Sequence, residues 1–311
     1  MNLKEKARQL PARPGVYFMV DSHDQLLYIG KAKRLNKRVI SYFIPSTPQS
    51  KKNQRMIFHI ADFSYQTVDT ELEALLLEQQ LIAKLHPPYN RLMNYAERYR
   101  YLIFTDQQFT ISKEPTAEAY GPFSQYKRLP EVIRVLIELY DLPSSRWRLP
   151  AARELHQKRQ SLLPQLSHEL KNHEIKQTLL GGGAALEKIN YQQSKALEIL
   201  AFEWAKSLEE DKEILRRFQK QALTLHKILA PKPRIIADEI DADTTKAFLV
   251  FQGKLLAEKK LPTKQFTTNI TEFENFPLPP VEHFIPFNEL DNRLIVASYF
   301  DKVQVMIKKD K

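Results

Sequence analysis

Between Pro14 and Phe43 the hydrophobic period of the chain changes abruptly, and this change constrains the fold more than any other feature. Residues 15–20, Gly-Val-Tyr-Phe-Met-Val, alternate as a strand does. Val16, Phe18 and Val20 fall on one face, Tyr17 and Met19 on the other. The polar run from Asp21 to Asp24 predicts a turn, and Leu26 to Ile29 a returning strand. In such a hairpin Val16, Phe18, Leu27 and Ile29 form one set. Tyr17 and Tyr28 can share the opposite face where the register fits. From Lys31 to Phe43 the spacing is helical: Arg34, Arg38 and Tyr42 make one stripe, Leu35, Val39 and Phe43 another. The apolar stripe would anchor this helix, and a free Arg-Arg-Tyr stripe would suit phosphate oxygens. A second reading, two core tyrosines beside a solvated basic helix, fits this stretch alone equally well. The chain has only 7 glycines, and Gly15 and Gly30 both lie here, where backbone shape must matter.

Residues 70–86, TELEALLLEQQLIAKLH, read as a strong helix, with Thr70 as N-cap and Glu73 closing a capping box. Within it Glu78 has Ala74, Leu75, Leu81 and Ile82 at helical spacing, so its carboxylate points from an apolar surface. Glu73, by contrast, is expected to reach solvent. A buried carboxylate must be paired, protonated or bound to a cation. Two readings follow: a salt bridge to a nearby Lys or Arg, or a ligand for Mg²⁺, which takes one or two carboxylates and keeps its waters. Pro87-Pro88 ends the helix and forces an extended turn at Tyr89-Asn90.

These pieces, in this order, resemble the GIY-YIG nuclease family: Gly-Val-Tyr (15–17), Tyr-Ile-Gly (28–30), then Lys31, Arg38, Tyr42, Glu78 and Tyr89-Asn90. More narrowly, RPGVYFMVD, LYIGKAKRLNKRVISYF, TELEALLLEQQLIAKLHPPYN and YGPF (120–123) resemble the N-terminal half of UvrC, the incision nuclease of bacterial nucleotide excision repair. The resemblance implies a metal-dependent DNA endonuclease that hydrolyses one phosphodiester on the 3′ side of a lesion. It implies catalytic roles for Tyr17, Tyr28, Lys31, Arg38, Tyr42 and Asn90, and one divalent ion, Mg²⁺ or Mn²⁺, on Glu78. Tyr17 or Tyr28 would serve as base, with Lys31 easing its proton loss. Arg38 would grip the phosphate oxygens, Tyr42 orient the phosphate, and Asn90 fix the geometry beside the metal. The implied partners are damaged double-stranded DNA and UvrB, with UvrA upstream. A GIY-YIG endonuclease outside repair, of restriction or mobile-element type, and a non-catalytic DNA- or UvrB-binding protein are the alternatives.

Composition agrees with a nucleic-acid partner. The net charge is +10, which favours a polyanion, and Lys33, Arg34, Lys37, Lys51, Lys52 and Arg91 are the expected DNA contacts. The chain has no cysteine, so an iron–sulfur cluster and a cysteine-type zinc site are excluded. No secretory signal or membrane-spanning run is visible, which makes the cytoplasm the expected compartment.

The predicted fold class is α+β. Residues 1–95 make an αβ nuclease domain, a small and mostly antiparallel sheet flanked by helices. Residues 96–151 follow as an αβ connecting segment with a strand at Tyr101–Thr105, a turn at Tyr120–Phe123 and a helix at Pro130–Tyr140. The UvrC-like pattern has four cysteines after YGPF, and LPSSRWRLPAAR (142–153) has none. Residues 152–230 are helical, stopped once at Gly181-Gly182-Gly183. There Leu200 to Asp211 resembles a degenerate UVR motif whose Arg-Asp step reads Glu210-Asp211, so a UvrB contact and a plain helical pair both stand. Residues 231–311 read as β-rich: strands at Arg234–Ile240, Ala247–Phe251 and Lys254–Leu261, then a hairpin of Leu294–Phe300 with Val303–Ile307. One glycine follows Gly183, too few for the helix-hairpin-helix DNA binders of full-length UvrC. The resemblance is therefore to the shortened, Cho-type relatives.

Overall fold

The computed structural model describes residues 2–44, 51–90, 99–124, 126–144, 150–265, 273 and 275–309. In chain order its elements begin with α1 (Leu3–Arg8), β1 (Gly15–Val20), β2 (Leu26–Ala32), α2 (Leu35–Ile40), α3 (Lys51–His59), β3 (Asp62–Thr67) and α4 (Glu71–Leu85). There follow β4 (Arg100–Thr105), β5 (Gln108–Ser112), β6 (Ala119–Phe123), α5 (Leu129–Tyr140), α6 (Pro150–Ser161), α7 (His168–Leu179), α8 (Ala184–Glu198) and α9 (Phe202–Leu229). The last are β7 (Arg234–Glu239), β8 (Thr244–Phe251), β9 (Lys254–Pro262) and α10 (Leu290–Lys309). The fold is α+β, with three antiparallel three-stranded sheets among the described residues: β2-β1-β3, β5-β4-β6 and β7-β8-β9.

The chain divides into two compact units. One holds residues 1–94, 231–280 and 291–311; the other holds 95–230 and 281–290. The segment 231–311 is thus shared between the units, and most of it folds with the N-terminal domain.

In the first unit the hairpin of β1 and β2 sets the site. Its register pairs Tyr17 with Gly30, Phe18 with Ile29 and Met19 with Tyr28. Tyr17, Met19, Tyr28 and Gly30 therefore share a face. Tyr17 and Met19 are buried in a cluster with Leu35 and Val39 of α2, Tyr42 of the 3-10 turn that follows it, Met56 of α3 and Phe63 of β3. Val16 and Ile29, on the other face, are fully buried as well, so both faces of the sheet are covered. The basic helix is shorter than its spacing predicts. Lys31 and Ala32 pair with Val16 and Gly15 and belong to β2. Arg34 stays extended (φ −140°), and helix begins at Leu35. Strand pairing satisfies these backbone groups before the helix can.

The capping box forms as expected: the Glu73 N–H donates to Thr70 Oγ1 (3.2 Å), and the Thr70 N–H donates to Glu73 Oε2 (2.9 Å). One flank of α4 meets β1 and β2. Another places Leu72, Leu75 and Leu76 in a cluster with Ile236, Phe248, Val250, Val296 and Tyr299 of the C-terminal segment. Burying a leucine contributes about 1.5–3 kcal/mol, so this flank is a major attachment. Glu73 does not simply reach solvent. Its Oε1 lies 2.6 Å from the Lys246 ammonium, which is also 3.4 Å from Asp69 and 3.1 Å from Glu258.

The strands β7, β8 and β9 fall where the alternation predicts them. The β8–β9 turn has left-handed Gln252 (φ 48°) and Gly253 (φ 75°), the conformation a two-residue hairpin loop requires. The predicted final hairpin is instead the helix α10. Its β-branched residues suggest strands, but Val296, Tyr299, Phe300 and Val303 follow helical spacing and all reach the α4 cluster.

In the second unit β4 is close to its predicted place, while β5 and β6 fill the stretch after it. Tyr120–Phe123 is strand rather than turn: Phe123 pairs with Arg100 and Tyr120 with Leu102. The edge position tolerates Pro122, which has no N–H to offer. The glycine triplet stops α7, where Gly181 (φ 92°) lies against the Leu223 backbone with no room for a Cβ. Within the UVR-like stretch Trp204 and Leu208 are buried, and Asp211 pairs internally with Arg134.

Candidate active site

Gly30 shows how the hairpin builds the site. A Cβ there would overlap the Tyr17 ring and hydroxyl and crowd the Tyr28 ring. Its absence lets the Tyr17 ring lie across the strand, with its centroid 6.1 Å from that of Tyr28 and 6.0 Å from that of Tyr42. The Tyr17 and Tyr42 hydroxyls are hydrogen-bonded at 2.8 Å, and Arg38 Nη2 donates to the Tyr42 hydroxyl at 3.1 Å. Tyr42 is therefore buried beneath the guanidinium rather than part of a free stripe. It braces Arg38 and Tyr17 from below.

An open cavity of about 670 Å³ lies over this group. Tyr17, Tyr28, Lys31, Arg38 and Glu78 line it, and so do Lys33, Arg34 and Lys37. Glu78 reaches it from α4. Its Oε1 accepts the Lys31 N–H at 2.9 Å, and it makes no ion pair with any described residue. Burial pushes its carboxyl above the ordinary glutamate range; the Lys31 N–H and the Lys31 and Arg38 charges counter this only in part. Burial, together with Tyr42 and Glu78, also raises Tyr28, and burial with Tyr42 and Tyr28 raises Tyr17. Tyr28 is half-buried and Tyr17 wholly buried, so water reaches Tyr28 more readily.

Two predicted contacts go elsewhere. The Lys31 ammonium points to Glu71, 3.5 Å away, and Glu71 in turn pairs with Lys302 of α10 at 2.8 Å. Among the charges that bear on Tyr28, the one that eases its proton loss belongs to Arg38. Asn90 does not line the cavity. The Ile29 N–H donates to its Oδ1 and its Nδ2 donates to the Ile29 carbonyl, both at 2.8 Å. It clamps the strand beside Tyr28 and positions the phenol through the backbone. Lys51 and Lys52 are exposed on α3, outside this cavity's lining, and Arg91 lies outside the described residues. Spacing did not single out Glu71 or Ser41, which also line the cavity; the only sign of Glu71 is its place in the first turn of α4.

A lone carboxylate with one oxygen committed to an N–H and no cationic partner matches the donor set of a hydrated Mg²⁺-type ion. No group of three or more acidic or histidine side chains gathers among the described residues, so a cage of several protein ligands is not built here. In the C-terminal segment Asp241 accepts the N–H groups of Asp243 and Thr244, and Asp238 accepts the Tyr299 hydroxyl.

Comparison with known proteins gives consistent matches. Residues 13–91 match the family described as the UvrC-like GIY-YIG domain. The chain is 32% identical over 301 residues to UvrABC system protein C of Desulfitobacterium hafniense, covering 89% of this chain and 49% of that protein. With the protein of the same name from Clostridium tetani it is 28% identical over 293 residues, covering 85% and 46%. The chain thus spans about half the length of these relatives. Among solved structures it is similar to the GIY-YIG N-terminal endonuclease domain of UvrC from Thermotoga maritima, bound to its catalytic divalent cation, magnesium. That match is 37% identical, covers 29% of this chain and 96% of that one, and has a TM-score of 0.26.

Proposed function

Residues 13–91 being a UvrC-like GIY-YIG domain, we propose that the chain is a DNA endonuclease of bacterial nucleotide excision repair, cutting one phosphodiester on the 3′ side of a lesion. The observation that carries this reading is Glu78: a half-buried carboxylate, unpaired, facing a wall of two phenols and a guanidinium across an open, basic cavity.

Glu78 would hold the cation with its carboxylate, one oxygen of which accepts the Lys31 N–H. Bound there, a single Mg²⁺ or Mn²⁺ would supply positive charge to the scissile phosphate and the leaving oxygen. Arg38 donates to the phosphate oxygens where negative charge grows, and Tyr42 fixes the direction of its guanidinium. Tyr28 is the proton acceptor for the attacking water. It is the more exposed phenol, whereas Tyr17 is wholly buried. Burial holds Tyr28 above its ordinary range in the absence of substrate, so its proton leaves only when positive charge is gathered in the site. Asn90 keeps the strand in register for both tyrosines. Lys33, Arg34 and Lys37 bind the DNA backbone around the cavity mouth.

The partners in this reading are damaged duplex DNA and the UvrA–UvrB system that presents it. No described helix is long and apolar enough to cross a membrane. The test is an end-labelled duplex with one defined lesion, incubated with Mg²⁺ with and without UvrA and UvrB. A single Mg²⁺-dependent cut 3′ to the lesion is expected. Cuts at a fixed sequence in undamaged DNA would move the enzyme out of repair. Failure to cut any DNA under these conditions would remove the endonuclease assignment.

A further inference from the structure

Phe58 is 86% exposed, more than any other large apolar side chain among the described residues. A phenylalanine fully in water is unremarkable by itself, but its surroundings are specific. It sits on the outer face of α3, whose inner face buries Met56. Helical spacing places Lys51, Gln54 and Arg55 on the same outer face. The nine residues of α3 include no Asp or Glu. A second cavity, of about 510 Å³, is lined by Lys51, Gln54, Arg55, Phe58, His59 and Tyr89, so among the described residues its lining has the rings of Phe58, Tyr89 and His59 and two cationic heads but no carboxylate.

Tyr89 joins this cavity to the strand that carries Tyr28. Its N–H donates to the Leu27 carbonyl at 3.0 Å, and the adjacent Asn90 clamps Ile29. Leu27 and Ile29 flank Tyr28 on β2. The second cavity is therefore fixed to the hairpin one residue either side of the proposed base, by the Tyr89 N–H on Leu27 and by the Asn90 side-chain amide on Ile29.

We propose that this cavity binds an unpaired nucleotide of the substrate, its base stacked on Phe58 and its phosphate held by Arg55 and Lys51. An exposed aromatic ring beside cations is the combination that single strands use: the ring takes any base by its π-face, and the cations take the backbone. A fully paired duplex keeps its bases stacked on one another and has no free base face for Phe58. The site therefore gives a preference for DNA whose helix is opened near the cut. A lining that is cationic and, among the described residues, free of carboxylates favours a polyanion over a protein helix as the occupant. This inference rests on the endonuclease reading only in naming DNA as the nucleic acid.

The experiment measures binding by fluorescence anisotropy in EDTA, so that nothing is cut. Two labelled DNAs are compared: a continuous duplex, and the same duplex with three unpaired nucleotides in one strand. The intact protein should prefer the second. Phe58→Ala should weaken binding of the opened DNA about five- to hundredfold and leave the continuous duplex nearly unchanged. Phe58→Trp should keep the preference. Arg55→Ala should weaken both, with a shallower salt dependence. Thermal melting of each variant checks the fold, and a side chain this exposed is not expected to shift it. A Phe58→Ala protein that binds both DNAs like the parent overturns the inference while leaving the endonuclease reading intact. An intact protein that binds neither DNA overturns both.

Discussion

Two three-stranded sheets flank α4 in the same unit, and they treat buried charge in opposite ways. In the β7-β8-β9 sheet the buried cation is Lys246, and Glu73, Asp69 and Glu258 surround it. Burial opposes its charge, but the Glu73 and Glu258 carboxylates hold it above the ordinary lysine range. In the β2-β1-β3 sheet the phenols of Tyr17 and Tyr28 and the nearby carboxylate of Glu78 lack such compensation, and burial raises all three. The first arrangement is what a fold does to secure a helix. The second leaves a buried carboxylate without a cationic partner among the described residues, a need that a cation from solution would answer.

The largest effect expected from breaking this contrast is on the chemistry. Glu78→Gln keeps an oxygen for the Lys31 N–H but removes the charge. Cleavage should fall by about a thousandfold or more, since a metal's charge contributes several kcal/mol to such a transition state. Single-turnover cleavage of labelled DNA in Mg²⁺ measures it; a tenfold loss or less would remove Glu78 as the ion's holder. Next in size is Leu72→Ala, which opens a cavity between α4 and the C-terminal sheet. Unfolding stability should drop by about 2–5 kcal/mol. The urea transition should stay single and carry both sheets with it, because α4 belongs to both. Separate transitions would show that the C-terminal segment merely rests on the nuclease domain. Lys246→Met keeps the stem's length but strands the carboxylates around it. The loss should be about 2 kcal/mol, at the low side for a buried pair because Glu258 is well exposed. Cleavage per folded molecule should not change. A variant as stable as the parent would mean the carboxylates hold α4 without the ammonium.

What the sequence makes legible divides along the same line. The β1–β2 hairpin, the capping box on α4 and the apolar neighbourhood of Glu78 are set by residues a few positions apart, so period and spacing reveal them. The shared face of Tyr17 and Tyr28 also follows from parity once the register is known. Long-range pairing is not legible in this way. Glu73 reads as a solvent-facing residue because its partner Lys246 lies far along the chain. Lys31 and Ala32 read as the start of a helix because their strand partners, Val16 and Gly15, are hidden in the register. Tyr120–Phe123 reads as a turn from its Gly-Pro step, yet pairing with β4 decides it. In α10 the β-branched residues outweighed the period, although Val296, Tyr299, Phe300 and Val303 carry the helical spacing.

The smallest predicted effect tests the contrast from the stability side. Because burial raises Glu78 in the folded protein, the folded state holds that proton more tightly than the unfolded chain, whose glutamates titrate at about 4.3. Between those two pKa values the folded state binds more protons, so this group's contribution to stability rises as pH falls and is lost as pH climbs through the folded pKa. With EDTA present at neutral pH, Glu78→Gln should therefore melt slightly higher than the parent, and the variant should lose this part of the pH dependence. Saturating Mg²⁺ should reverse the order by stabilising the parent and not the variant, because only the parent binds the ion in its folded state. The Lys246 cluster has no such ion to wait for, and its contribution should not respond to Mg²⁺. A parent that melts above Glu78→Gln in EDTA would mean the carboxylate is already satisfied by the protein, and the two sheets would no longer differ.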